Sequence, residues 1–324
     1  MQGTVALREI VLNNPLMMSI GFVLGLVLGG FPILNSEMIT LALVILMSIS
    51  LCGMGFKGLE LKEHLLTTLL ALLLTFGLAT GFTVMLAFLF EGPIRSGWIF
   101  EAVVPSAVCV IPFSFILRGN VENSLISSTV IYILSIGITP LLLVALLGMD
   151  VNPVSLITSV MVMIFLPIVI SRRVRKMTLS GDTRAAMISL SLLVVSFCVV
   201  GANRDFFFND PILVGILFLA SAARIFIPGV LVYLLAIRSR LGRKQGVNMV
   251  LFTTYKNTGM AAAMAATLVG TEAALPAAIS TPIEIIWLIV MSRYLFTNRY
   301  FDTEGVGRVP GRNAPIATVI GRSK

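Results

Sequence analysis

Apolar runs of about twenty residues follow one another along the whole chain, and an α-helix needs about that many to cross the hydrocarbon layer of a bilayer. About ten can be drawn, near 15–32, 36–56, 65–90, 97–117, 123–147, 153–171, 184–202, 211–236, 246–268 and 273–296, with polar Gly-, Pro- or Asn-bearing connections between them. Charge supports the same reading. Only 12% of the 324 residues are charged, against roughly 25% in a soluble domain, and the mean hydropathy is +1.02. Too few charges remain to cover a water-facing surface, so the expected fold class is an all-α polytopic membrane protein of ten transmembrane helices. Cys52, Cys109 and Cys198 all lie in apolar runs, which argues against a disulfide framework or a thiol metal site. The single histidine, His64, sits in a charged loop, which argues against a histidine metal centre or catalytic triad. No cleaved signal peptide is read in the first 14 residues.

The net charge of +8 raises the question of nucleic acid, but its distribution gives a different answer. Nineteen of the 23 Lys and Arg fall in connections on one side: Arg8; Lys57 and Lys62; Arg118; Arg172, Arg173, Arg175, Lys176 and Arg184; Arg238, Arg240, Arg243 and Lys244; and Arg293 onward. Arg95 and Arg204 fall on the other side, and Arg224 and Lys256 lie inside apolar runs. This asymmetry predicts cytoplasmic N and C termini in an inner or plasma membrane, with a basic face touching anionic lipid and no nucleic-acid partner.

Asn14-Pro15 opens the first run and Asn152-Pro153 the sixth. An odd number of spans between them would invert the second half, as in many secondary transporters. The expected organisation is a first five-helix repeat over 1–148, an inverted repeat over 149–300, and a tail over 301–324 without fixed structure. Two runs look interrupted. The fourth carries Pro105 and Pro112, and either removes a backbone hydrogen bond. The ninth carries Thr253, Thr254, Lys256, Asn257, Thr258 and Gly259 within seven positions. Opened backbone at membrane depth survives only against protein or a water-filled cavity. Lys256 lies about ten residues from either end of its run, too far to snorkel, and a lysine there costs ~3 kcal/mol. It is expected to face a substrate cavity or to form a buried ion pair. The candidate partners are Glu284 and Glu101, with Arg224 competing for both; sequence leaves the pairing open.

At these residues the chain resembles the bile acid:sodium symporter family, within the bile/arsenite/riboflavin transporter superfamily. "NPLMMSIGFVLGLVLGG" and "MGFKGLELKEHL" resemble its first two helices and the loop after them. "VPSAVCVIPFSFILRGNVENSLISSTVIYILSIGITPLLL" resembles its broken fourth helix and its fifth. "GANRDFF" resembles a phrase after its seventh, "YKNTGMAAAMAATL" its broken ninth, and "ALPAAISTPIEIIWLI" its tenth. The resemblance implies broken fourth and ninth helices crossing at mid-membrane. It also implies a panel domain of helices 1, 2, 6 and 7, past which a core domain of helices 3–5 and 8–10 moves. The departures bear on the sodium ligands. The family's fourth-helix Ser-Asn falls on Val110-Ile111, its ninth-helix Glu on Phe252, the Gln before the ninth-helix Asn on Lys256, and a third-helix Gln on Thr75. Ser124 and Ser128 match hydroxyl ligands, and carbonyls near Thr253 and Tyr255 could remain. Two hydroxyls without a carboxylate make a poor cage for a hard cation.

The expectation is therefore a secondary carrier, not an enzyme, that moves a small organic anion of the bile acid, steroid, pantoate or keto-acid type by alternating access. It would work as a monomer and without a cofactor. Lys256 would replace sodium, and coupling to protons through Lys256 and Glu284 would be possible in principle. Lys256, Asn257, Glu284, Pro105 and Pro112 are the expected substrate contacts. Lys256, Ser124, Ser128, Thr75, Thr253 and Tyr255 are the expected coupling site. Glu284 disfavours an anion unless it is protonated or paired with Lys256; the alternative is a zwitterionic or cationic substrate that meets both charges. The alternatives are conventional sodium coupling, a channel, or an intramembrane enzyme built on a Ser124– or Ser128–Lys256 dyad.

Overall fold

The computed structural model describes residues 11, 12, 14–31, 35–52, 64–148, 158, 162, 165–177, 179–239 and 241–296. Asn152-Pro153, most of the sixth run and the 301–324 tail, on which the expected repeat and tail rest, lie outside the described residues. Among the described residues the fold is all-helical, and β pairing is confined to one isolated antiparallel bridge, Ser106 with Lys256.

The helices are α1 (Asn14–Leu28), α2 (Asn35–Cys52), α3 (Leu65–Ala87), α4 (Gly92–Val103), α5 (Val110–Ile116), α6 (Val121–Leu147) and α7 (Leu166–Val174). They continue with α8 (Gly181–Ala202), α9 (Arg204–Asn209), α10 (Pro211–Arg238), α11 (Arg243–Thr254), α12 (Thr258–Leu268) and α13 (Thr271–Leu295). Five of them, α3, α6, α8, α10 and α13, are long and apolar enough to cross a membrane. Their outer faces are leucine-rich and bare: Leu66 is 78% exposed, Ile212 75% and Leu219 70%. Such a girdle is unfavourable in water and at ease in hydrocarbon. The protein is an all-α membrane protein.

Two groups of helices pack internally. In the first, α8 lies against α1 and α2, and α7 against α2. The second joins α3, α4, α6, α10, α11, α12 and α13, and it meets the first mainly where α12 touches α2 and α13 touches α8. Close approach in the second group relies on glycine. A Cβ at Gly97 would fall 2.1 Å from the Ala273 carbonyl oxygen, and one at Gly229 would fall 2.4 Å from the Trp287 ring. Pro140, Pro228 and Pro282 lie inside α6, α10 and α13; a membrane helix keeps such prolines where neighbours re-satisfy the freed carbonyls.

The fourth and ninth runs are both interrupted. The first break is the stretch 104–109 between α4 and α5, the second the stretch 255–257 between α11 and α12. Pro105 lies in the first break. Pro112 does not. It occupies the third position of α5, where a helix has no carbonyl waiting for the missing N–H. The expectation that Pro112 opens the helix is thus corrected. The breaks cross each other: Ala107 N–H donates to the Tyr255 carbonyl at 3.0 Å and Asn257 N–H to the Pro105 carbonyl at 2.9 Å.

Candidate functional site

The helix ends created by the breaks would leave carbonyls without partners. At the C-terminal end of α4 these can be followed one by one. The Val103 carbonyl accepts from the Thr139 hydroxyl at 3.0 Å, and the Pro105 carbonyl is held by Asn257 N–H. The Ala102 and Val104 carbonyls accept from the Lys256 ammonium at 2.8 and 3.1 Å. The Thr75 carbonyl at 2.8 Å and the Thr80 hydroxyl at 3.1 Å are also within reach of the same amine, so four acceptors share its three N–H groups. Thr80 in turn donates toward the Ala102 carbonyl at 2.7 Å, with the Thr75 carbonyl at 3.0 Å. The Thr75 carbonyl is turned out of the regular ladder by a π-helical stretch, Leu73–Ala79, in α3. The amine lies 5.3 Å from the Phe76 ring centroid and is fully buried. Four oxygens and an aromatic ring thus surround a cation placed at the negative end of α4.

Among the described residues no carboxylate lies within ion-pairing distance of Lys256. Arg224 takes both acids. Its Nε lies 2.9 Å from Glu101 Oε1 and its Nη2 2.9 Å from Glu284 Oε1, and Nη1 reaches the Thr254 carbonyl at the C-terminal end of α11 at 3.4 Å. The Glu101 contact is an ion pair with the N–H poorly aligned, so both Glu101 oxygens lack a proper hydrogen bond despite the short distance. Neither acid pairs with Lys256, and Glu101 is wholly buried rather than near an interface.

A cavity of about 300 Å³ lies between the two helix groups. Its walls come from α1, α2 and α8 on one side, and from the first break, the second break and α13 on the other. Most lining residues are apolar; Asn257, Thr258, Thr281, Glu284 and Ser196 supply polarity. Of the expected substrate contacts, Asn257, Glu284 and Pro112 line it and Pro105 does not. Lys256 also lines it, but the partners of its amine, Thr75, Thr80, Ala102 and Val104, do not. The ammonium therefore points away from the cavity, because the carbonyls freed by the first break draw it inward.

Asn257 caps α12, accepting from Met260 N–H at 3.1 Å, and donates to the Tyr132 hydroxyl at 3.1 Å. The expected coupling residues divide. Thr75 joins the Lys256 cage, and its hydroxyl donates to the Phe252 carbonyl at 3.0 Å. Three of the positions at which the resemblance implies sodium ligands, Thr75, Phe252 and Lys256, therefore meet. Thr253 spends its hydroxyl on the Met249 carbonyl of its own helix. The Tyr255 carbonyl is held by Ala107, and its hydroxyl donates to the Glu284 carbonyl at 2.9 Å. The hydroxyls of Ser124 and Ser128 are buried with no hydrogen-bond partner. Neither reaches Lys256, so no Ser–Lys dyad is formed. The residues present do not fit a sodium ion in the cage, because an amine fills it. Sequence reasoning missed Thr80, Tyr132 and Thr281. Their letters are ordinary in a membrane helix, and only the π-helical stretch and the crossing give them roles.

No protein-family model matches the chain, and no curated protein matches it.

Proposed function

We propose that the chain is a secondary carrier that moves a small, largely apolar organic solute by alternating access, through the cavity where the two interrupted helices cross. The crossing carries the reading. Two opened helices held together by a two-residue bridge border a cavity between two internally packed helix groups. Opened backbone beside a cavity is the arrangement that transporters use at their substrate sites. The resemblance to bile acid:sodium symporters, with its ten helices in two inverted repeats and its panel and core, supports the same reading. Lys256 supplies a built-in cation where those carriers bind a removable one. Transport is then independent of sodium.

The expectation of an anionic solute rested on the resemblance together with an ammonium facing the cavity; the amine is turned to the carbonyls instead, and the anion is not carried forward. Sodium coupling remains a second reading because the orphaned hydroxyls of Ser124 and Ser128 are groups that normally find a partner.

Counterflow tests the class. Proteoliposomes preloaded with unlabelled 2-phenylethylamine or 3-phenylpropionate should transiently accumulate the labelled form of one of them, and equally in sodium and potassium media. Non-saturating conductance, or no exchange of either compound, would refute the carrier. Exchange that stops in potassium would establish the sodium-coupled reading instead.

A further inference from the structure

We infer that the cavity selects a solute with a cationic, hydrogen-bond-donating head, an ammonium or amidinium, on an apolar body, with Glu284 as the residue that receives it. This rests on the carrier reading for its biological sense, but the chemistry is that of the cavity wall alone. The two buried cations near the cavity are already engaged. The Lys256 amine is spent on four oxygens that do not line the cavity. Arg224 does not line it either, and its guanidinium is held by Glu101, Glu284 and the Thr254 carbonyl.

The helix N-termini at the cavity also have little to offer an anion. At α5, the N–H groups of Val110 and Ile111 bond to the carbonyls of Ala107 and Val108, and Pro112 has none. At α12, Thr258 N–H bonds to the Lys256 carbonyl, Met260 N–H to the Asn257 side chain, and Ala261 N–H to the Asn257 carbonyl.

Glu284 is different. Its carboxylate takes Arg224 on Oε1 and also has the Lys256 backbone N–H against it, and the residue lines the cavity. One arginine faces two acids, so the cluster carries a formal excess of one negative charge, and the member that reaches the cavity is Glu284. Thr281, three residues earlier on the same face of α13, bonds to Thr258 at 3.4 Å. The two hydroxyls stand beside Glu284 as further acceptors for a head with several N–H groups. The rest of the wall, including Leu43, Leu46, Leu192, Val195 and Val199, suits a hydrocarbon or aromatic body.

Three probes sharing a phenyl body decide the matter: 2-phenylethylamine, 2-phenylethanol and 3-phenylpropionate, bound to the purified full-length protein in nanodiscs at low ionic strength. The amine should bind at least about tenfold tighter than the carboxylate, with the alcohol between. Glu284→Gln should reduce amine affinity about tenfold and leave the alcohol unaffected. Tighter binding of the carboxylate, equal binding of all three, or no binding of any at millimolar concentration would overturn the inference. The wild-type ranking stands even if the variant fails to fold. Binding without counterflow would sink the carrier reading and leave this one, whereas counterflow of the carboxylate in preference to the amine would do the reverse.

Discussion

The two helix breaks solve the same problem with different chemistry. The first, at 104–109, is opened by a proline and lacks an ionisable side chain apart from Cys109. The second, at 255–257, has no proline; it is a tyrosine, a lysine and an asparagine, each bonded across or beyond the gap. The backbone bonds between the breaks run one in each direction, but the side-chain donors come from the second break and meet carbonyls at the first. Each C-terminal half-helix end also meets a buried cation, Lys256 at α4 and Arg224 at α11. The two cations differ in kind. Arg224 is a planar fork and is matched to two carboxylates. Lys256 is a compact ammonium and is matched to carbonyls. Interrupting a helix inside a membrane is therefore tolerable here because each opening is paired with a cation of suitable shape.

Substitutions can break this comparison. The largest expected effect is from Arg224→Met. It strands two buried carboxylates, at a cost of about 3–5 kcal/mol, and should appear as poor recovery and a sharply lower melting temperature in detergent. Near-wild-type melting would mean that the acids are not held as ions by Arg224. Lys256→Met follows, at about 2–3 kcal/mol: it takes the amine from the Val104, Ala102 and Thr75 carbonyls and leaves the single Thr80 hydroxyl to serve the last two, but also relieves the desolvation of an ammonium. Lys256→Gln sharpens the same point. If the cage is a cation site filled by an amine, the melting temperature of this variant should rise with added sodium, while that of the wild type should not. A salt response identical in both would count against the replacement.

Asn257→Ala is smaller, about 1–2 kcal/mol, from the lost cap of α12 and the lost bond to Tyr132. Pro105→Ala should be smallest, at most about 1 kcal/mol, because the carbonyl that receives Asn257 N–H survives the change. A larger loss would show that the ring, rather than the crossing, keeps α4 and α5 apart.

What the sequence disclosed follows from the reach of each signal. Runs such as 123–147 and 211–236 are legible because twenty apolar residues admit few structures, and α6 and α10 follow them closely. The second break is legible because Thr253 to Gly259 gathers polarity that lipid would not accept. The first was visible through Pro105, but Pro112 carries the same letter and sits harmlessly in a first helical turn. Side-chain partners were not legible. Three of the four oxygens around Lys256 are carbonyls, which every residue has, and the π-helical stretch "LLTFGLA" that turns one of them outward has no compositional mark. Arg224 engages two acids that are 183 positions apart (Glu284 less Glu101), a pairing fixed only by how α4, α10 and α13 rotate against one another.

The ammonium at the crossing is tethered to the chain it holds. A dissolved ion occupies its site according to its concentration, so a protein pinned by one loosens in a depleted medium and tightens in a rich one. A covalently attached amine cannot be diluted away by the medium on either side of a membrane. The joint between α3, α4 and the second break should accordingly keep its firmness whatever the sodium content of the surroundings.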